Sequence, residues 1–178
     1  MLSGSFQYDS EDSLTVLIGY LRENAPDIDS HLIVYQTESD VHSLSVLEED
    51  TDVLLVFTRR LTMAGPELER IREYCAAGKP IVGIRTSSHA FALRKPEGGK
   101  KLADWPEFDR DIIGGNYTGH HGNGPRVALN SPAGGKSHPI LKGVDLGKLK
   151  GCGSLYMTTP LAKSSTELLR GTIKGKAP

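Results

Sequence analysis

His89, His120, His121 and His138, together with Arg85, Tyr8 and Tyr117, are the residues of this sequence whose types and spacing could do chemistry. Tyr117, His120 and His121 stand on one glycine-rich stretch, GGNYTGHHGNG from Gly114 to Gly124. So much glycine is at home in a loop, where the backbone must turn tightly or approach a ligand. Adjacent side chains diverge, so one of His120 and His121 is expected to face a pocket while the other orients the loop. Tyr117 would add a phenolic hydroxyl. His138 precedes Pro139 and is therefore held extended, a geometry that could aim its ring at the site. Together with His89, these imidazoles suffice for general acid–base work or for a divalent metal. The bland alternative is a loop braced by histidine hydrogen bonds. No HExxH, CxxC, P-loop or GxGxxG pattern occurs, so nucleotide and nicotinamide binding have no motif support.

The second chemical stretch is VGIRTSSHAF, Val82 to Phe91. A strand ending in a sharp turn of small residues resembles a nucleophile elbow. In the order Gly83-Ile84-Arg85-Thr86-Ser87, Arg85 takes the nucleophile's place. A guanidinium stays protonated and attacks nothing. Arg85 is expected either to bind an anionic or hydroxyl-rich ligand or to brace loop carbonyls. His89, one turn on, would be a base, a metal ligand or a structural donor. Thr86, Ser87 and Ser88 read best as caps.

The elements that must position these residues follow from periodicity. Met1-Leu2-Ser3 reads as the end of a strand. Leu14, Leu17, Ile18 and Leu21 give a helix with one buried face, which Ser10 or Asp12 could cap. HLIVYQ (31–36) reads as a strand and Leu44 to Glu49 as a short helix. DVLLVFT (52–58) has the length and β-branching of a buried parallel strand. A helix follows from Pro66 towards Gly78, and PIVGIR (80–85) is a further strand. Residues 94–110 read as mostly loop, with one helical turn in EFDRDIIG. RVALN, SLYMT and TELLRGTI are expected as short strands, the last two as antiparallel additions. Alternating strands and helices imply an α/β, doubly wound, mostly parallel sheet with helices on both faces. Ligands of such sheets bind beyond the carboxyl ends of the strands. That rule puts Ser3–Tyr8, with Ser5 and Tyr8 as ligand contacts, Thr58–Arg60 and Arg85–His89 on the functional edge.

The 178 residues suit a single domain with a substantial core. A net charge of -1 gives no electrostatic case for nucleic acid or an acidic membrane. There is no apolar run of transmembrane length and no signal-peptide pattern at the start, so the sequence as it stands reads as cytoplasmic. Two cysteines make no disulfide framework; Cys75 reads as core and Cys152 as a loop thiol.

SGSFQYDSEDS, GKPIVGIRTSSHAF, GGNYTGHHGNG, HPILKGV and LYMTTPLA with TELLRG, in this order, resemble the ThuA-like (trehalose-utilisation) family. That family belongs to the class I glutamine amidotransferase-like superfamily, so the resemblance implies a flavodoxin-like fold. It also implies an enzyme acting on a sugar or sugar derivative, a small sugar-like ligand, and a pocket gathering Ser5, Tyr8, Arg85, His89, Tyr117, His120, His121 and His138. Glutamine hydrolysis is not expected, because Arg85 stands where a cysteine would be and His138-Pro139-Ile140 lacks the paired glutamate. The competing expectations are a non-catalytic ligand-binding domain with a degenerate elbow and a subunit that pairs with a second copy as a homo-oligomer. Beside the family, the first strand looks short and the chain stops early. It therefore reads as truncated at both ends, and a lost leader would make it secreted or periplasmic.

Overall fold

A computed structural model describes the chain except residues 5–6, 36–43, 50, 95–103, 125, 150, 152 and 177–178. Ser5 and Cys152 therefore lie outside the described residues. The chain forms two compact units, Met1–Ile113 and Gly114–Pro178. No composition shift marks that boundary, which falls where the glycine-rich stretch begins.

In the first unit, strand β1 is Leu2–Gly4, helix α1 Ser10–Asn24, strand β2 Ile33–Tyr35, helix α2 Val46–Glu49, strand β3 Leu54–Thr58, helix α3 Gly65–Ala76 and strand β4 Ile81–Gly83. The four strands form one all-parallel sheet in the order β2-β1-β3-β4. This is an α/β fold with the flavodoxin-like strand order. The order reverses direction at β1, and α1 packs on one face while α2 and α3 pack on the other.

Burial follows that layering. Leu2, Leu54 and Val56 pack in one apolar cluster with Leu47 of α2 and Leu68 and Ile71 of α3. Leu14 and Ile18 of α1 are buried outside that cluster. Side chains alternate across a strand, so Ser3 turns to the α1 face, where its hydroxyl shares a 2.7 Å hydrogen bond with that of Ser10. The expected cap of α1 is thereby corrected. Ser10 lies inside the first turn with its hydroxyl committed to β1, and the preceding Asp9 makes no side-chain cap.

The described residues of 94–110 are mostly irregular, and the helical turn expected in EFDRDIIG is present; what the polar composition does not announce is the burial inside this segment. Among its described residues, Trp105 and Phe108 are buried and Phe108 opens a helical turn that runs on through Asp109–Ile113. Phe91, Trp105 and Phe108 form an aromatic cluster with ring centroids 4.9 to 6.5 Å apart. The Arg72 guanidinium lies 4.2 Å from the Trp105 ring centre and donates to the Asp104 carbonyl at 3.0 Å. Polar neighbours hid these rings, because three aromatics spaced along an irregular segment carry no period.

The second unit holds two antiparallel ribbons. Strand β5 (Gly119–His120) pairs with β7 (Tyr156–Met157), and β6 (Ala128–Asn130) with β8 (Arg170–Thr172). The antiparallel additions expected at SLYMT and TELLRGTI are thus present in shorter form. Among the described residues, no helix is long and apolar enough to cross a membrane.

Gly83 and Gly19 make opposite demands. A Cβ on Gly83 would lie 2.5 Å from the Ser87 hydroxyl and 2.8 Å from Ile113 Cδ1, whereas one on Gly19 of α1 would meet nothing within 4 Å. Gly83→Ala should cost about 1–3 kcal/mol by overpacking, and Gly19→Ala should stabilise by up to ~1 kcal/mol. Urea unfolding of the two variants checks both signs; equal effects would refute the close approach at Gly83.

Candidate functional site

The carboxyl ends of the parallel strands are built by backbone hydrogen bonds between the segments that leave them. Ile84 N–H donates to the Val56 carbonyl at 2.9 Å, which extends the β3–β4 pairing by one step. Arg60 N–H donates to His89 O at 2.9 Å and Leu61 N–H to Ala90 O at 2.6 Å. The Arg60 guanidinium adds a 2.7 Å bond to the Ala92 carbonyl. The segment after β3 is thereby fastened to the segment after β4.

Between these anchors the chain makes the elbow. β4 ends at Gly83, Ile84 is extended, and Arg85 has φ 44° at the head of a 3-10 turn, Arg85–His89. The expected strand–turn–helix bend is present, with a cation where the elbow pattern would hold a nucleophile. Among the described residues, the other non-glycine positions with left-handed backbone are Tyr8 (φ 66°), Asp9 (φ 47°) and Arg60 (φ 49°). All four follow the carboxyl ends of β1, β3 or β4. Such backbone costs on the order of 1–3 kcal/mol per residue and tends to gather where a site over-determines it.

Tyr8 and Arg85 come together although 77 residues separate them in sequence. The Arg85 guanidinium carbon lies 4.5 Å from the Tyr8 ring centre, and its NH2 group donates to the Tyr8 hydroxyl at 3.4 Å. A guanidinium over a phenol face is held flat and oriented. Thr58, at the end of β3, is fully buried, and its hydroxyl makes no hydrogen bond to the described residues. Thr86, Ser87, Ser88 and His89 are buried too. His89 Nδ1 is 3.0 Å from the Ser88 hydroxyl. The turn carries no side-chain cap, which corrects the expectation that its serines serve as caps.

Tyr117, His120, His121 and His138 belong to the second unit. Tyr117 and His120 are joined by a 2.7 Å hydrogen bond between the hydroxyl and Nδ1. His121 is half-buried, and its amide donates to the Leu155 carbonyl at 2.8 Å. His138 has extended backbone, as expected before proline, and its Nδ1 accepts from the Ile140 amide at 3.3 Å. That is the role of a local cap. Tyr156, against which Tyr117 and His120 pack, escaped the sequence reading; its only signal was membership of an expected strand.

Among the described residues, no group of three or more His, Cys, Asp or Glu side chains is placed to hold a metal. Cys75 is half-buried against the core, and burial pushes its thiol above the ordinary range. It is a packing residue of α3, as expected. Comparisons of the chain with family models, with curated proteins and with solved structures gave no match.

If the Arg85 backbone is held left-handed, the β-branched Arg85→Val should cost about 1–3 kcal/mol more than Arg85→Gly. Both variants lose the same guanidinium, so the difference isolates the backbone. Equal stabilities in chemical denaturation would show that the turn relaxes freely.

Proposed function

We propose that the chain is a ThuA-like domain that binds a sugar or sugar derivative at the carboxyl edge of its parallel sheet, with Arg85 as the anchor. The observation that carries the reading is the pairing of Arg85, left-handed at the elbow, with Tyr8, itself left-handed after β1. A flat, fixed guanidinium donates in a fork to adjacent oxygens, as a vicinal diol, carboxylate or phosphate presents them. The strand order supports the location, since ligands of such sheets lie beyond the carboxyl ends. The sugar class rests on the sequence resemblance alone.

Binding, rather than nucleophilic catalysis, is what an arginine at the elbow favours. Glutamine hydrolysis by a thiol has no residue to perform it there. A second reading, proton transfer to a bound sugar, is favoured by one observation, the buried Ser88–His89 contact. A hydroxyl on Nδ1 sets which ring nitrogen carries the proton.

Calorimetric titration with glucose, gluconate and glucose 6-phosphate tests the anchor. Arg85→Ala should weaken binding by about tenfold or more, and Arg85→Lys should restore part of it, because a charge remains without the fork. Undiminished affinity in Arg85→Ala would remove the anchor from the account. Product formation by the wild type that is lost in His89→Gln, with binding kept, would promote the second reading.

A further inference from the structure

We propose that Tyr117, His120 and Tyr156 form a ligand-binding face of the second unit, one that takes a hydroxyl-rich ring by its apolar side. In the β5–β7 ribbon, His120 stands directly opposite Tyr156, so their side chains share one face. Tyr117 joins them through its 2.7 Å bond to His120 Nδ1. The Tyr117 and His120 ring centres are 6.3 Å apart, with planes only 19° apart. With so short a bond, that separation is reached only when phenol, hydrogen bond and imidazole run nearly in line. The two rings therefore lie edge to edge, close to one plane, rather than face on face. Tyr156 leans against both, its centre 4.8 Å from that of Tyr117 at 52° and 5.7 Å from that of His120 at 33°.

The hydrogen bond also links the polarity of the rim to the His120 ring. The bond takes either direction with the imidazole tautomer. With Nδ1 accepting, Nε2 carries the proton and donates; with Nδ1 donating, Nε2 accepts, and a sugar hydroxyl can meet either. A cluster serving only to pack would be buried, yet His120 is exposed and both tyrosines are half-buried. A flat aromatic surface edged by an imidazole nitrogen matches a pyranose, which has an apolar C–H face and hydroxyls around its rim. The choice of ligand rests on the sugar reading above; the surface itself uses neither Tyr8 nor Arg85.

The test is a nuclear magnetic resonance titration of the full chain with methyl α-glucopyranoside, reading the aromatic signals of Tyr117, His120 and Tyr156 and the amides of Gly4, Tyr8 and Arg85. The expected result is saturating shifts of the three rings, weakened about tenfold in Tyr156→Ala. His120→Gln, which alters an exposed side chain, should give a smaller loss with the fold intact and keeps the test open if Tyr156→Ala unfolds. Shifts at the sheet edge with still rings would overturn this inference and leave the edge reading standing. Ring shifts without edge shifts would do the reverse. Shifts at neither place would overturn both.

Discussion

The interaction on which the rest of the first unit depends is the backbone stitching between the end of β3 and the turn after β4. Arg60 and Leu61 donate to the carbonyls of His89 and Ala90, and Ile84 donates to that of Val56. Without these bonds the elbow would be a free loop and Arg85 a mobile surface cation. With them, the chain must turn within a few residues, and Gly83 admits Ser87 at a distance no side chain would tolerate. The aromatic cluster of Phe91, Trp105 and Phe108 holds the far end of the same segment in the core. Each aromatic contact adds about 0.5–1.5 kcal/mol beyond burial. The cluster thus offsets part of the roughly 1–3 kcal/mol that each left-handed arginine, Arg85 and Arg60, costs.

Strain and recognition are linked through this stitching. A left-handed arginine projects differently from one in the extended backbone of a strand, and here its guanidinium reaches the Tyr8 ring across the sheet. Tyr8 is itself left-handed, so the contact is made from two constrained backbones. Such an arrangement gives up little further side-chain freedom on binding, which is the physical content of preorganisation. The second unit solves the same problem by other means. There a two-residue ribbon and one phenol–imidazole bond align three rings.

The parallel sheet was legible in the sequence because its signals were strong and local. The apolar run from Asp52 to Thr58 was long enough to name β3, and Pro66 with Gly78 bracketed α3. The placement of Arg85 at an elbow was legible from glycine and small residues at fixed offsets. Its pairing with Tyr8 was not, since sequence carries no direct sign of which loops meet at a sheet edge. The aromatic cluster under the elbow was missed because Trp105 and Phe108 sit among polar residues without a period. His120 and His121 differ in exposure, as adjacent side chains that diverge should. What their sequence did not reveal was the partner, because the contact with Tyr156 arises from an antiparallel register 36 residues away that no short motif announces.

The central claim is that the carboxyl edge of the parallel sheet is a ligand site organised by Arg85. Its most direct test is a crystal structure of the full chain grown with glucose 6-phosphate. The account predicts ligand density beyond Gly4 and Thr58, with ligand oxygens in the fork of the Arg85 guanidinium and the Tyr8 ring still beneath it. Ligand density elsewhere with Arg85 turned away from it, or an elbow whose Arg85 backbone is no longer left-handed, would contradict it.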